Sequence, residues 1–437
     1  MTTSSPAAER SLVRALGPLA LAASIVNVTV GGGIFRLPAT VAQSLGPAAP
    51  LAYLVCAAAM GLIVLCIAEA GSRVALTGGP YAYVEVAFGP FVGFLAGVLL
   101  WLLGTFAVAA VSTVFADAAG SLWPAMGDPW ARRALLVALF AILAWVNVRG
   151  VREGTRLNTV ATVAKLLPLL LLVGVGAFAV RAENLAWTGP PAAAGVARTS
   201  IVLIFAFMGV ESALVPSGEV KDNARTVPRA IALAMVGITL LYLALHLVAQ
   251  GVLGGRLAGS ATPLADAAGV ALGPWGRTLI LVGAVVSMFG YVSGMTLAVP
   301  RALFAFARDG FLPSRLASVH PRFHTPHVAI AVQSALVCAL AASGTFERLA
   351  ILANLAALIL YGACCVASWE LRRRGVQAGG VPFRVPAAGV VPVLACAVIL
   401  WLLTSIQPAE WAAVAGVLAA AAVVFVLTRG RRAVQRA

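Results

Sequence analysis

Two short runs of residues carry most of the chemistry this chain offers. The first is Ser24–Pro38, SIVNVTVGGGIFRLP, in which Gly31, Gly32 and Gly33 follow one another inside a long apolar segment. A glycine in a helix interior costs roughly 1 kcal/mol relative to alanine, so three in a row favour unwinding. Unwinding frees N–H groups, and those from Gly31 to Ile34 would suit a carboxylate. The second run is FAFMGVES, Phe205–Ser212, where Gly209 and Glu211 interrupt another apolar segment. Carbonyls freed between Phe205 and Met208 would suit an ammonium. One site offering both, in opposed orientation, matches the α-carboxylate and α-amine of an amino acid. The competing structural account of the glycines is that they only let helices approach closely.

Ionisable residues inside apolar segments extend this set. Lys165 lies in LNTVATVAKLLPLLLL. A lysine at membrane depth is expensive and is a functional candidate by default. It would donate to carbonyls freed by the first break, supplying the charge a sodium ion would otherwise bring, and burial suits it to exchange a proton. The alternative is a snorkelling or merely structural lysine. Glu211 is a candidate for proton sensing or for pairing with a cationic substrate group, against a fixed hydrogen bond to freed backbone. Glu69 reads as an interfacial structural partner. Arg36 needs a carboxylate or a substrate group that the sequence does not name. His320, His324 and His327 share a proline-broken loop, where no carboxylate or cysteine set completes a metal site. Cys56, Cys66, Cys338, Cys364, Cys365 and Cys396 all fall in apolar segments without metal-ligand spacing and read as small core residues. No nucleotide-binding loop, nucleophile elbow or HExxH run is present, so no cofactor, metal or ATP-driven step is expected.

These residues must be positioned by an all-α integral membrane bundle. The 437 residues are 61% apolar and 10% charged, which excludes a soluble globular domain and disorder alike. About twelve segments reach the roughly 20 apolar residues a span needs. The first covers 15–42 and the second 50–70, with Thr77-Gly78-Gly79-Pro80 breaking the chain after it. The third, fourth and fifth cover 91–119, 134–148 and 157–180, and a polar connection occupies 181–198. The sixth runs over 199–217, the seventh over 231–253, the eighth over 278–307, and the ninth and tenth near 328–342 and 348–369. The last two lie near 390–406 and 411–427.

The net charge of +15 reads as topology rather than as nucleic-acid binding. Counted on alternating sides from a cytoplasmic N-terminus, 21 Lys and Arg fall inside and seven outside, with Arg36 and Lys165 in the membrane. That asymmetry places both termini in the cytoplasm of a multi-pass protein of the cytoplasmic membrane. Five spans separate the two interrupted segments, and an odd number inverts the second copy. Paired broken helices in two halves are the best sequence pointer to a transporter site.

Four motifs in order also resemble one family. GGGIFRLP, Gly31–Pro38, resembles the GSGIF signature of the amino acid–polyamine–organocation superfamily of permeases. TGGPYAYVEVAFGP (77–90) resembles its second-to-third helix connection, FAFMGVESALVPSGEVKDNARTVPRAI (205–231) its sixth helix and following loop, and ARDGFLP (307–313) the loop after its eighth helix. The resemblance covers the chain end to end. It implies 12 transmembrane helices in a LeuT-like 5+5 inverted repeat, with helices 1 and 6 broken and two extra C-terminal helices. The repeats would occupy 15–180 and 199–371, the extra helices 387–428, and cytoplasmic tails 1–14 and 429–437. It implies that backbone at Gly31, Gly32, Gly33 and Ile34 holds a substrate carboxylate. Carbonyls around Phe205, Ala206 and Met208, at the Gly209 break, would hold the amine. Phe205 matches an aromatic gating position, and Lys165 a fifth-helix lysine of sodium-independent members. The GVES run, Gly209–Ser212, is similar to that of antiporters for basic amino acids and polyamines, where the glutamate takes part in pH response. Gly32 departs from the signature's serine and removes a hydroxyl from the carboxylate site.

The resulting expectation is a non-enzymatic, sodium-independent secondary transporter, proton-coupled or exchanging, with an amino acid or amine substrate and the lipid bilayer as partners. The alternatives are a sodium-coupled symporter of the same architecture and a non-transporting amino-acid sensor or partner-dependent subunit. Substrate identity, flux direction and oligomeric state stay open at this level.

Overall fold

The computed structural model describes residues 18–74, 79–149, 155–187, 189–209, 223–377, 381–385 and 387–436. Among them every regular element is helical. The chain opens with α1 (Pro18–Thr29) and α2 (Gly33–Leu45), then α3 (Pro50–Arg73), α4 (Pro80–Phe88), α5 (Pro90–Leu122), α6 (Pro129–Arg149), α7 (Thr155–Gly176) and α8 (Ala193–Phe207). After the next undescribed stretch come α9 (Asn223–Leu253), α10 (Pro263–Leu272), α11 (Pro274–Ala298) and α12 (Pro300–Arg308). Finally α13 (His327–Ser343), α14 (Phe346–Arg373), α15 (Val391–Leu403) and α16 (Pro408–Arg436) close the chain. Proline at the first helical position starts α3, α4, α5, α10, α11 and α12, where its missing N–H is needed least.

Seven of the described helices are long and apolar enough to cross a membrane, and five shorter ones are apolar too. The most enclosed windows are in α5, 78% buried, and α14, 72% buried. The same measure is 28% for α6 and 6% for α16, so α5 and α14 form the axis and α6 and α16 the rim. Small residues let the axis pack tightly. A Cβ at Gly104 would come within 2.9 Å of Val299, and one at Gly97 within 3.4 Å of Phe306. The polar residues of α5 turn inward on the helix: Thr105 and Ser112 donate to carbonyls one turn back. Gln333 ties α13 to α5 by accepting from Trp101 and donating to Thr105, both at 2.9 Å.

The outer faces are apolar. Leu233, Val236 and Leu240 of α9 are more than half exposed, whereas Tyr242, Leu245 and His246 on its other side are fully buried. Leu167 and Leu170 of α7 are exposed while Lys165 is buried. Apolar outside and polar inside is the pattern of a lipid-facing helix. The protein is therefore a multi-pass membrane protein.

Three local expectations change. Residues 80–88 form a helix of their own, α4, separated from α5 by Gly89 at φ +88°. The eighth segment is two helices, divided at Val299–Pro300 because proline cannot continue the ladder. The connection 181–198 is partly helical, with α8 beginning at Ala193.

Candidate functional site

The first segment is interrupted at the glycines. α1 ends at Thr29 and α2 begins at Gly33, with Val30, Gly31 and Gly32 between them. The Gly31 N–H turns back onto the Thr29 carbonyl at 2.8 Å, so the regular ladder stops there. Gly32 caps α2 without a side-chain oxygen. The first N–H groups of α2, from Gly33 and Ile34, therefore have no partner within their own helix. Gly32, Gly33 and Ile34 are buried and Gly31 is half-buried.

The sixth segment is interrupted at the matching place. α8 ends at Phe207, Met208 is extended, and Gly209 takes φ +113°, a conformation that favours glycine. Phe205, Ala206 and Met208 are buried. The two interruptions face each other. A Cβ at Gly33 would meet the Phe205 ring at 3.0 Å and the Ala206 backbone at 3.5 Å. On the other side of the break, a Cβ at Gly32 would meet Val111 of α5 at 2.9 Å and Met288 of α11 at 3.2 Å. At the glycines, then, the ladder stops and the helices approach closely.

Three helix ends converge here. The N-terminus of α2 carries partial positive charge, and the C-termini of α1 and α8 carry partial negative charge. Tyr242 of α9 joins the two negative ends. Its hydroxyl lies 2.9 Å from the Ala206 carbonyl and 3.1 Å from the Thr29 carbonyl. Asn354 of α14 secures α8 further up, donating to the Ile201 carbonyl at 2.5 Å.

A lid closes over this junction. The Phe205 ring meets Phe346 of α14. Arg36 of α2 reaches Glu347 at 3.5 Å and the Ser260 carbonyl at 3.3 Å, and Thr40 donates to the same carboxylate at 3.5 Å. Glu347 is thus the partner Arg36 required.

Lys165 is buried on α7, which packs against α9, α10 and α11, and it is engaged rather than free. Glu211 lies outside the described residues. Glu69 is fully buried, accepting from Arg73 at 2.9 Å and from Arg372 at 2.5 Å. The Val385 N–H also donates to it, at 3.2 Å. It holds the ends of α3 and α14 and the chain after α14 together. His320 accepts the Arg322 and Phe323 N–H groups and shapes its own loop. The cysteines are free thiols, four of them buried. Tyr242, Asn354, Phe346 and Glu347 were not singled out in the sequence. A buried tyrosine among TLLYLALH was the one available signal, since its hydroxyl must find a partner.

A buried junction of broken, oppositely charged helix ends in a lipid-facing bundle is an arrangement that suits a membrane transporter. The amino acid permease profile matches residues 16–429, and the chain belongs to that family, within the amino acid–polyamine–organocation superfamily. It is 29% identical to the methylthioribose transporter of Bacillus subtilis (strain 168), over 94% of this chain and 92% of that protein. It is 28% identical to the branched-chain amino acid permease BcaP of the same organism, over 91% and 89%. It is 28% identical to the serine/threonine exchanger SteT, also of that organism, over 89% and 90%.

Proposed function

We propose that this chain is a secondary active amino-acid transporter of the cytoplasmic membrane, working by alternating access around the α2–α8 junction. One observation carries the reading: the free N–H end of α2 abuts the carbonyl ends of α8 and α1 in a buried junction. That arrangement suits a zwitterion. Gly31 to Ile34 take the carboxylate, and the carbonyls around Phe205, Ala206 and Met208, beside Gly209, take the ammonium. In this reading α1 with α2 is the first of twelve spans and α8 opens the sixth. Residues 15–180 and 199–371 are inverted repeats, and both termini are cytoplasmic.

The family supports amino acid transport but leaves the side chain open, since the relatives' names cover methylthioribose, branched-chain amino acids, and serine and threonine. Val111 and Met288 beside Gly32 favour a neutral side chain. Glu211 favours a cationic one. A thermal-shift panel of amino acids and polyamines on the purified protein separates these, because a ligand of the native state stabilises it by mass action. Counterflow in proteoliposomes then tests transport itself. A protein that is stabilised by an amino acid yet moves none in counterflow refutes the reading and favours a sensor.

Coupling is read from Lys165. A buried cation on α7 takes the place of a sodium ion, and transport is driven by protons or by exchange. Uptake that requires a sodium gradient would refute this and favour the symporter. Glu211 sets the pH response; an unchanged pH profile in Glu211→Gln would remove it from that role.

A further inference from the structure

We propose that Tyr242 is a positioning residue that couples the two helix breaks, and that a substrate ammonium competes with its hydroxyl for the Ala206 carbonyl. The first half rests on geometry alone; the second rests on the amino-acid reading above.

Tyr242 is fully buried on α9, which packs along both α1 and α3. Its ring is held edge-on by Phe207, with centroids 5.4 Å apart. One turn on, His246 of the same helix stands against Tyr53 of α3, with Nδ1 3.4 Å from the Tyr53 hydroxyl. So contacts at two levels anchor α9 around the Tyr242 hydroxyl. It reaches the last carbonyl of α1, on Thr29, and the penultimate carbonyl of α8, on Ala206. Among the described residues no backbone hydrogen bond runs directly between α1 and α8. The hydroxyl is a polar tie between them.

A phenol has one proton to donate. With the junction empty, that proton is shared between two oxygens. An ammonium arriving at Ala206 brings up to three donors of its own and a full charge, so its bond there is the stronger one. The Tyr242 proton then belongs to Thr29. Binding thereby releases α8 from α1 while α9 stays attached to α1. This is the differential interaction a substrate needs to shift a conformational equilibrium.

The coupling is tested without any substrate, by amide hydrogen exchange on the purified protein. Tyr242→Phe keeps the ring and removes the tie. Exchange at 26–34 and at 204–209 is expected to accelerate together, several-fold, with α5 and α14 unchanged. Acceleration at one break alone, or at neither, overturns the coupling. Uniform acceleration throughout the variant signals misfolding, and 3-fluorotyrosine at position 242 then decides. It keeps the shape and donates more strongly, so both breaks should exchange more slowly; no change overturns the coupling.

The competition is tested with whichever amino acid stabilises the wild type most. Tyr242→Phe should bind it several-fold more tightly yet turn it over several-fold more slowly, lowering KM and kcat together. The fluorinated side chain should weaken binding. Unchanged affinity in both, or a shift in the same direction, overturns the competition. A wild type that answers no amino acid overturns the transport reading and the competition with it, while the exchange result still decides the coupling.

Discussion

The ring of Phe205 meets the ring of Phe346 edge to face, with centroids 5.5 Å apart and planes at 88°. The next residue, Glu347, holds Arg36 and Thr40 of α2. The residue before, Thr345, caps α14 by accepting the Arg348 N–H at 3.3 Å. The first turn of α14 therefore presses on both interrupted helices at once. In the proposed topology it lies on the outer side of the junction. Truncating Phe346→Ala should remove about 0.5–1.5 kcal/mol of aromatic pairing. The expected readout is a faster substrate off-rate, measured by ligand dissociation. An unchanged off-rate would mean that the lid is not what retains substrate.

The Arg36–Glu347 pair is only partly enclosed, with side-chain exposures of 24% and 36%. Such pairs contribute about 0.2–1 kcal/mol to stability. Glu347→Gln should leave the melting temperature nearly unchanged and raise the rate at which the lid opens. The reversed pair, Arg36→Glu with Glu347→Arg, should recover part of the wild-type rate in proteoliposomes. Recovery absent in the double variant would assign the rate effect to something other than this ion pair.

Gly32 sits at φ −60°, so a side chain there meets no backbone strain. Its obstacle is Val111, 2.9 Å from the Cβ position. Gly32→Ala should fold normally but bind substrate at least tenfold more weakly, as the α5–α2 gap widens. Adding Val111→Ala should restore binding. If the double variant binds no better than Gly32→Ala, the glycine matters for its backbone and not for the space beside it.

Glu69 compensates two arginines in a buried setting. Removing the charge by Glu69→Gln leaves them uncompensated, a change that costs about 3–5 kcal/mol for a buried pair. A large fall in thermal stability is expected, with any residual transport showing an unaltered KM. A variant as stable as the wild type would show that water reaches this cluster.

Lys165→Ala removes a buried cation from α7. The protein should still bind its amino acid and exchange it down a gradient. Proton-driven uphill uptake should be lost. Uphill uptake at the normal rate in this variant would take Lys165 out of the coupling.

The glycine break was legible because unwinding is set by local backbone preference, and Gly31, Gly32 and Gly33 state it within three residues. The same holds for Gly209, whose φ of +113° any other residue would resist. What could not be read is long-range. Glu347 is 311 residues from Arg36, and Arg372 is 303 residues from Glu69. Tyr242 lies 36 residues from Ala206 and 213 from Thr29. No periodicity encodes such pairings, because each depends on which helices become neighbours. The helices α4 and α10 escaped for another reason: at 9 and 10 residues they fall below the length a spanning segment announces.

Cys56 sits on the face of α3 that meets α8, fully enclosed, with its thiol donating to the Ser200 carbonyl at 3.2 Å. While that seam is shut, an alkylating reagent has no approach to the sulfur. Should α8 swing away from α3 at any stage of a cycle, the protein would announce it through its own chemistry, as a mass increment on one peptide. A maleimide and a mass spectrometer would then time the motion without any probe being engineered in.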